Sequence, residues 1–281
     1  MASSKSVSHL PVKKNISSTQ TWTIAAAILM AVMSLLGLVF TSSVYSTEEQ
    51  ISSYKPNDLI NLVIALPLIL GLIRSVRKGR WIGLLFWPGM LMFMIYNYTA
   101  MLIGIPFGWP SLAYAAVVLT SAYQLFTLLR SIDGAAVQKR LEGAVNERFS
   151  GIVLVLFAVG FFFLAAGVIQ QAAAGESISR PEVGVSAADM VLSVLLLVGG
   201  LLFFLRKPLG YAAGPGMLFV SMVLFIAVIL FVIIQPFLLG TSFSWNDLVV
   251  LGSMAIVCLI PFLLMTRGIL AHDRGNREAI Q

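Results

Sequence analysis

Eight runs of roughly twenty apolar residues constrain this chain more than any other feature; they lie at 20–42, 58–75, 82–103, 111–130, 150–171, 189–205, 212–235 and 247–266. A bilayer hydrocarbon core of about 30 Å takes about 20 residues of α-helix to cross, so each run comes close to spanning it. Lipid offers no partner to backbone N–H and C=O groups, which leaves helices and closed barrels as the spanning structures. Continuous runs without ten-residue alternation exclude the barrel. The chain is 59% hydrophobic and only 11% charged, too apolar for a water-soluble domain of its length. The expected fold is an all-α integral membrane bundle of eight transmembrane helices.

Basic residues set the expected orientation, because short loops rich in Lys and Arg stay cytoplasmic. Sixteen of the 18 Lys and Arg fall in the N-terminal tail or after the second, fourth, sixth and eighth runs, and only Lys55 and Arg180 fall on the other side. Seven of the 12 acids sort the opposite way: Glu48, Glu49, Asp58, Glu176, Glu182, Asp189 and Asp247. The pattern predicts a multi-pass protein of the cell (inner or plasma) membrane with both termini cytoplasmic. A net charge of +6 then reflects topology and attraction to anionic lipids at the cytoplasmic face of the bilayer, and gives no reason to invoke nucleic acid.

An internal repeat runs through the pattern. GLLFWPGML at 83–91 and GYAAGPGML at 210–218 share Gly, Pro, Gly, Met and Leu at a constant offset of 127, and the basic pairs Arg77-Lys78 and Arg206-Lys207 precede them at an offset of 129. An even number of spans per half gives both halves the same orientation, as in parallel-repeat transporters. The expected division is a disordered cytoplasmic tail at 1–19, a first four-helix half at 20–132, a linker at 133–149, a second half at 150–266 and a cytoplasmic tail at 267–281. The linker carries Val137, Leu141, Ala144 and Val145 at helical spacing among basic residues, the pattern of an amphipathic helix at the membrane interface.

Asp58, Asp189 and Asp247 each head an even-numbered run. A carboxylate there caps free backbone N–H groups and meets the positive end of the helix dipole, together worth roughly 1 kcal/mol, so capping is the plain expectation. The functional alternative groups Asp58 and Asp189 with Asn61, one turn past Asp58, and with Tyr96 and Asn97 at similar depth, as a polar vestibule for a ligand. The apolar parts of the second and sixth runs are the shortest, and each is interrupted, by Pro67 and by Gly199-Gly200. Paired broken helices at matching places in two repeats point to a membrane binding site, since unwound backbone must line a cavity.

No catalytic constellation accompanies these groups. The sequence has no His-Glu-x-x-His helix, no Gly-x-Ser-x-Gly elbow and no P-loop, and its two His, His9 and His272, lie in the tails, so neither a metal nor another cofactor is expected. The single Cys258 allows no internal disulfide. Ser34, Ser121, Gln124, Ser193, Ser221 and Ser253 are the polar groups left within the runs, and their expected use is interhelical hydrogen bonding.

Residues 57–98 contain the pattern N-D-L-x-N-L-x-x-x-x-P-L, a basic loop, L-x-W-P-G and Y-N-Y. This segment resembles a set of uncharacterised prokaryotic multi-pass membrane proteins, whose final helix is similar to residues 247–270; the resemblance implies a membrane protein and no assigned activity. Two functional readings follow from the sequence. One is a small-molecule or lipid binding, permease-like protein with its site between spans two, three, six and seven toward the outer leaflet. The other is a non-catalytic assembly or scaffold protein in which the same residues only cap and pack helices.

Overall fold

The computed structural model of the chain describes residues 10–240 and 242–278, which leaves residues 1–9 of the expected N-terminal tail and 279–281 of the C-terminal one outside the described residues. The protein is a helical bundle with no β-strand among the described residues and eight helices long and apolar enough to cross a membrane. These are α1 (Ser17–Val39), α2 (Glu48–Arg77), α3 (Trp81–Gly104), α4 (Trp109–Ser131), α5 (Glu147–Ala173), α6 (Arg180–Phe204), α7 (Pro208–Leu239) and α8 (Trp245–Glu278). Large apolar side chains such as Val63, Leu119, Leu156 and Phe163 stand more than half exposed on the outside of the bundle. Such a surface is stable only against lipid.

The least apolar spanning helix is the innermost. α3 has a mean hydropathy of 1.2, equal to or below that of every other span, yet 83% of its central window is buried against 22–44% for the other seven. A helix carrying Tyr96, Asn97, Tyr98 and Thr99 must keep them from hydrocarbon, and the centre of the bundle is where they find partners. α3 packs against α2, α4, α6 and α7. It crosses α7 where the two Pro-Gly-Met-Leu segments meet: a Cβ on Gly89 would overlap the Gly216 carbonyl, and one on Gly216 would lie 2.9 Å from the Gly89 nitrogen. Only glycine at both positions lets the two backbones approach this closely.

Two helices begin well before their apolar runs. α2 starts at Glu48 and α6 at Arg180, so at 30 and 25 residues they are not the short spans their hydropathy suggests. The N-caps are Thr47, whose side chain accepts from the Gln50 N–H, and Ser179, which accepts from the Glu182 N–H. Asp58 and Asp189 therefore lie inside their helices, and the expected capping role is overturned for both. Hydropathy missed these starts because polar residues can extend a helix past the hydrocarbon without breaking it. Asp247 does fall in the first turn of α8, where Ser244 provides the cap.

The two expected interruptions differ in kind. α2 widens into a π-turn over Asn61–Ala65, immediately before Pro67, whose ring and missing N–H disturb the ladder there. α6 runs unbroken through Gly199 and Gly200. Pro56 has a further effect in α2: it cannot bond the Ser52 carbonyl, which accepts instead from the Gln235 side chain of α7 at 3.3 Å.

The basic end of the bundle is tied by the linker and the N-terminal segment. Residues 134–141 form a short helix that packs on α7 with Val137 and Leu141 buried, so its apolar face is directed at protein rather than lipid. Arg140 lies over the Trp81 ring, 4.2 Å from its centre, and Gln138 donates to the Arg206 carbonyl. From Leu10 the chain runs back along the α4 terminus: Asp133 N–H donates to Pro11, Lys13 N–H donates to Ser131, and the Lys13 and Asp133 side chains pair at 3.8 Å. Glu147 is buried here, accepts from the Tyr211 hydroxyl at 2.8 Å and faces Arg206 at 3.6 Å. α8 continues to Glu278, through most of the expected tail at 267–281.

Candidate functional site

Asp58 lies ten residues into α2 and is only 1% exposed. Counted back from Arg74, roughly 20 residues of hydrocarbon thickness reach residue 54, which puts Asp58 about one turn inside the membrane boundary. A carboxyl group held there needs partners. Its Oδ2 accepts from the Tyr45 hydroxyl at 2.6 Å, and Ser34 of α1 stands beside it. Burial, and then the Asp58 charge, push the Tyr45 hydroxyl well above the ordinary tyrosine value, so it remains a donor. Space for the pair comes from Gly37 of α1, where any side chain would overlap the carboxylate.

A line of amides leads away from this pair. Asn57 Nδ2 donates to Asn97 Oδ1 at 2.6 Å, Asn97 Nδ2 donates to Asn61 Oδ1 at 2.6 Å, and Asn61 Nδ2 donates to Ser34 Oγ at 3.2 Å. Asn57 and Asn61 fall one turn apart on α2, with Asn61 opening the π-turn and Asn97 facing both from α3. Ser34 lies 3.4 Å from the Tyr98 hydroxyl, which donates to the Met30 carbonyl at 3.1 Å. Tyr114 of α4 packs its ring on Tyr98, and its buried hydroxyl lies beside that of Tyr45.

The network opens onto a cavity of about 380 Å3 near the acid-rich end, between α2, α3, α6 and α7. Asn57 and Asn97 form its polar side with Tyr96, while Phe93 of α3 and Leu224, Ala227, Val228 and Phe231 of α7 form its apolar side. Glu182 and Ser179, at the exposed start of α6, lie at its rim. The volume falls within the range of small-molecule sites, and the mixture of mostly apolar wall with a few fixed polar groups is their usual composition.

The residues marked by the sequence divide among three places. Asp58, Asn61 and Asn97 join one network, and Tyr96 faces Asp189 across the α3–α6 contact, on the edge of the cavity. Pro67, Gly199 and Gly200 do not reach the cavity. Pro67 is exposed on the outside of α2, Gly199 packs against the Met217 side chain, and Gly200 packs against Leu154 and Val155 of α5. The glycine pair provides close helix contact, so unwound backbone does not line a cavity there. Sequence reasoning gave no role to Tyr45, to Asn57 or to Tyr54, which lines the cavity and donates to the Ala100 carbonyl at 3.1 Å; all three stood in a stretch read as a loop, where a single Tyr or Asn carries no periodic signal. The chain matches no protein-family model, no curated protein and no solved structure, and the site is therefore read from its own geometry.

Proposed function

We propose that the protein binds a small amphipathic molecule or a lipid in the cavity between α2, α3, α6 and α7, in the manner of a permease-like membrane protein. The observation that carries this reading is the cavity itself, with hydrogen-bonding amides on its α2–α3 side and apolar residues on its α7 side. What sets this space apart from the other grooves on the bundle is the pairing of buried amides with an apolar wall, the usual composition of a small-molecule site. The charge distribution supports placing the cavity toward the outer leaflet of the cell membrane with both termini cytoplasmic.

The same proposal includes a two-half organisation. The packed pairs α2–α3, α3–α4 and α1–α4 have counterparts in α6–α7, α7–α8 and α5–α8, and α3 meets α7 at the paired glycines. In such an arrangement the cavity lies where one half meets the other, the place at which parallel-repeat transporters hold their substrates. The test is reconstitution of wild type and Ala227→Trp in lipid nanodiscs, with unfolding followed against a panel of metabolites and lipids. Ligand-dependent stabilisation of wild type that the cavity-filling variant loses is expected. No response of wild type to any compound, together with a stoichiometric co-purifying protein, would turn the reading toward assembly.

A further inference from the structure

The cavity has a charge preference written into its rim. We infer that its ligand carries an ammonium group on an apolar body; this rests on the binding role proposed above and adds the chemical class. Among the described residues Glu182 is the one acidic side chain that lines the cavity and no Lys or Arg does, although Lys55 and Arg180 lie on the same end of the bundle. The aromatic rings of Phe93, Tyr96 and Phe231 provide faces that attract a cation and repel an anion.

The start of α6 would ordinarily oppose this preference, since a helix N-terminus attracts anions through its free N–H groups. Here fewer such groups are free than at an ordinary helix start. Pro181 has none, the Glu182 N–H donates to Ser179 Oγ at 3.3 Å, and the Val183 N–H donates to the Ser179 carbonyl at 3.1 Å. Glu182 adds its negative charge to the same turn. On the opposite wall Asn57 donates one amide N–H to Asn97, and its oxygen is available as an acceptor. A headgroup entering past Glu182 meets a carboxylate, an amide oxygen and ring faces, while the tail lies against Leu224 and Val228.

The test uses the full chain in phosphatidylglycerol nanodiscs, free of amine lipids, with hexylammonium, hexanol and hexanoate as probes of one chain length and three charges. Calorimetric titration is expected to show hexylammonium bound about tenfold more tightly than either analogue, the weight of one charge-assisted contact. Glu182→Gln should remove that preference, and Ala227→Trp should remove binding of all three. Val228→Phe, at a half-exposed wall position, fills the cavity without touching the α3–α7 crossing and should weaken all three if Ala227→Trp fails to fold. Equal affinity for the three probes, abolished by the filling variants, would overturn the ammonium assignment and leave the cavity as a binding site. Binding that neither filling variant alters would overturn both. Repeating the titration with phosphatidylethanolamine in the discs separates the sources: competition identifies a lipid headgroup as the natural occupant, and undiminished binding identifies a free amine.

Discussion

The Asp58–Tyr45 pair gives the sharpest quantitative prediction. Both side chains are 1% exposed and joined at 2.6 Å, so neither can exchange its partner for water. Tyr45→Phe keeps the ring and deletes the donor, leaving a buried carboxyl without its shortest bond, a loss of about 1.5–3 kcal/mol. Asp58→Ala leaves the Tyr45 hydroxyl unpaired, about 1–3 kcal/mol, and adds roughly 1 kcal/mol for the void of three missing heavy atoms. It is expected to cost about 2–4 kcal/mol in all. The double variant should cost less than the sum of the two, by about 1–2 kcal/mol, because the second substitution removes a group already orphaned. Equilibrium unfolding by steric trapping in bicelles, on wild type, both single variants and the double, measures the cycle. If Asp58→Ala falls within about 0.5 kcal/mol of wild type, as at an ordinary surface site, the carboxyl is solvated and the buried network described here is wrong.

Three further outcomes follow from the packing and the charge pattern. Gly216→Leu forces a side chain into the α3–α7 crossing and should cost 3 kcal/mol or more, roughly the top of the range for overpacking, whereas Gly252→Leu, with nothing within 4 Å of its Cβ position, should leave the yield of monodisperse protein unchanged. Arg74, Arg77 and Lys78 border an apolar groove containing Ile24, Leu70 and Ile73, and neutralising all three cations should weaken phosphatidylglycerol retention in native mass spectrometry by roughly 1 kcal/mol per charge. With Cys258 replaced by Ser, single cysteines at Gly79 and Gly175 should react with an impermeant maleimide from opposite sides of a sealed vesicle; labelling from one side would remove a crossing between them.

The number of spanning helices was legible because each is marked in the sequence by an apolar run of spanning length. The helix starts were not. A hydropathy profile marks only where the apolar run begins, and the ten residues from Glu48 to Asn57 form helix ahead of it, held by the Thr47 cap and by Gln235 on the Ser52 carbonyl. That extension moves Asp58 from a helix end into the fold and changes its chemistry from cap to buried acceptor. Pro67 did mark a real disturbance, and its effect is a π-turn on the preceding residues rather than a break. Gly199-Gly200 looked like a second break but serves close packing, and no local pattern distinguishes the two uses of a glycine. Asp58, Asn61 and Asn97 could be seen as polar residues in apolar surroundings; their chain of bonds depends on α1 and on Tyr45, at sequence distances that periodicity does not reach.

In the two-half organisation proposed above, the two-sided character of the cavity comes from an inequality between the halves. At the offset of 127 that relates the two Pro-Gly-Met-Leu segments, Tyr96, Asn97 and Tyr98 correspond to Val223, Leu224 and Phe225. At the offset of 129 that relates the two basic pairs, Asp58 and Asn61 correspond to Ala187 and Met190. Asp58, Asn61, Asn97 and Tyr98 of the polar network therefore correspond to apolar residues in α6 and α7, while Asn57 corresponds to Ser186, and Phe225 packs with Phe157 and Phe161 where Tyr98 packs with Tyr114. Two identical polar halves would enclose a wet cleft, and two identical apolar halves would close on each other and leave no space. One of each yields a pocket wet on one side and dry on the other. Exchanging the polarity of a single wall should therefore act on ligand choice more than on folding: Leu224→Asn, which gives the α7 wall the residue of its α3 counterpart, is expected to keep the bundle intact while reducing affinity for an apolar tail by about 1–3 kcal/mol. Unchanged tail-length dependence in Leu224→Asn would mean that the apolar wall is not what the ligand touches.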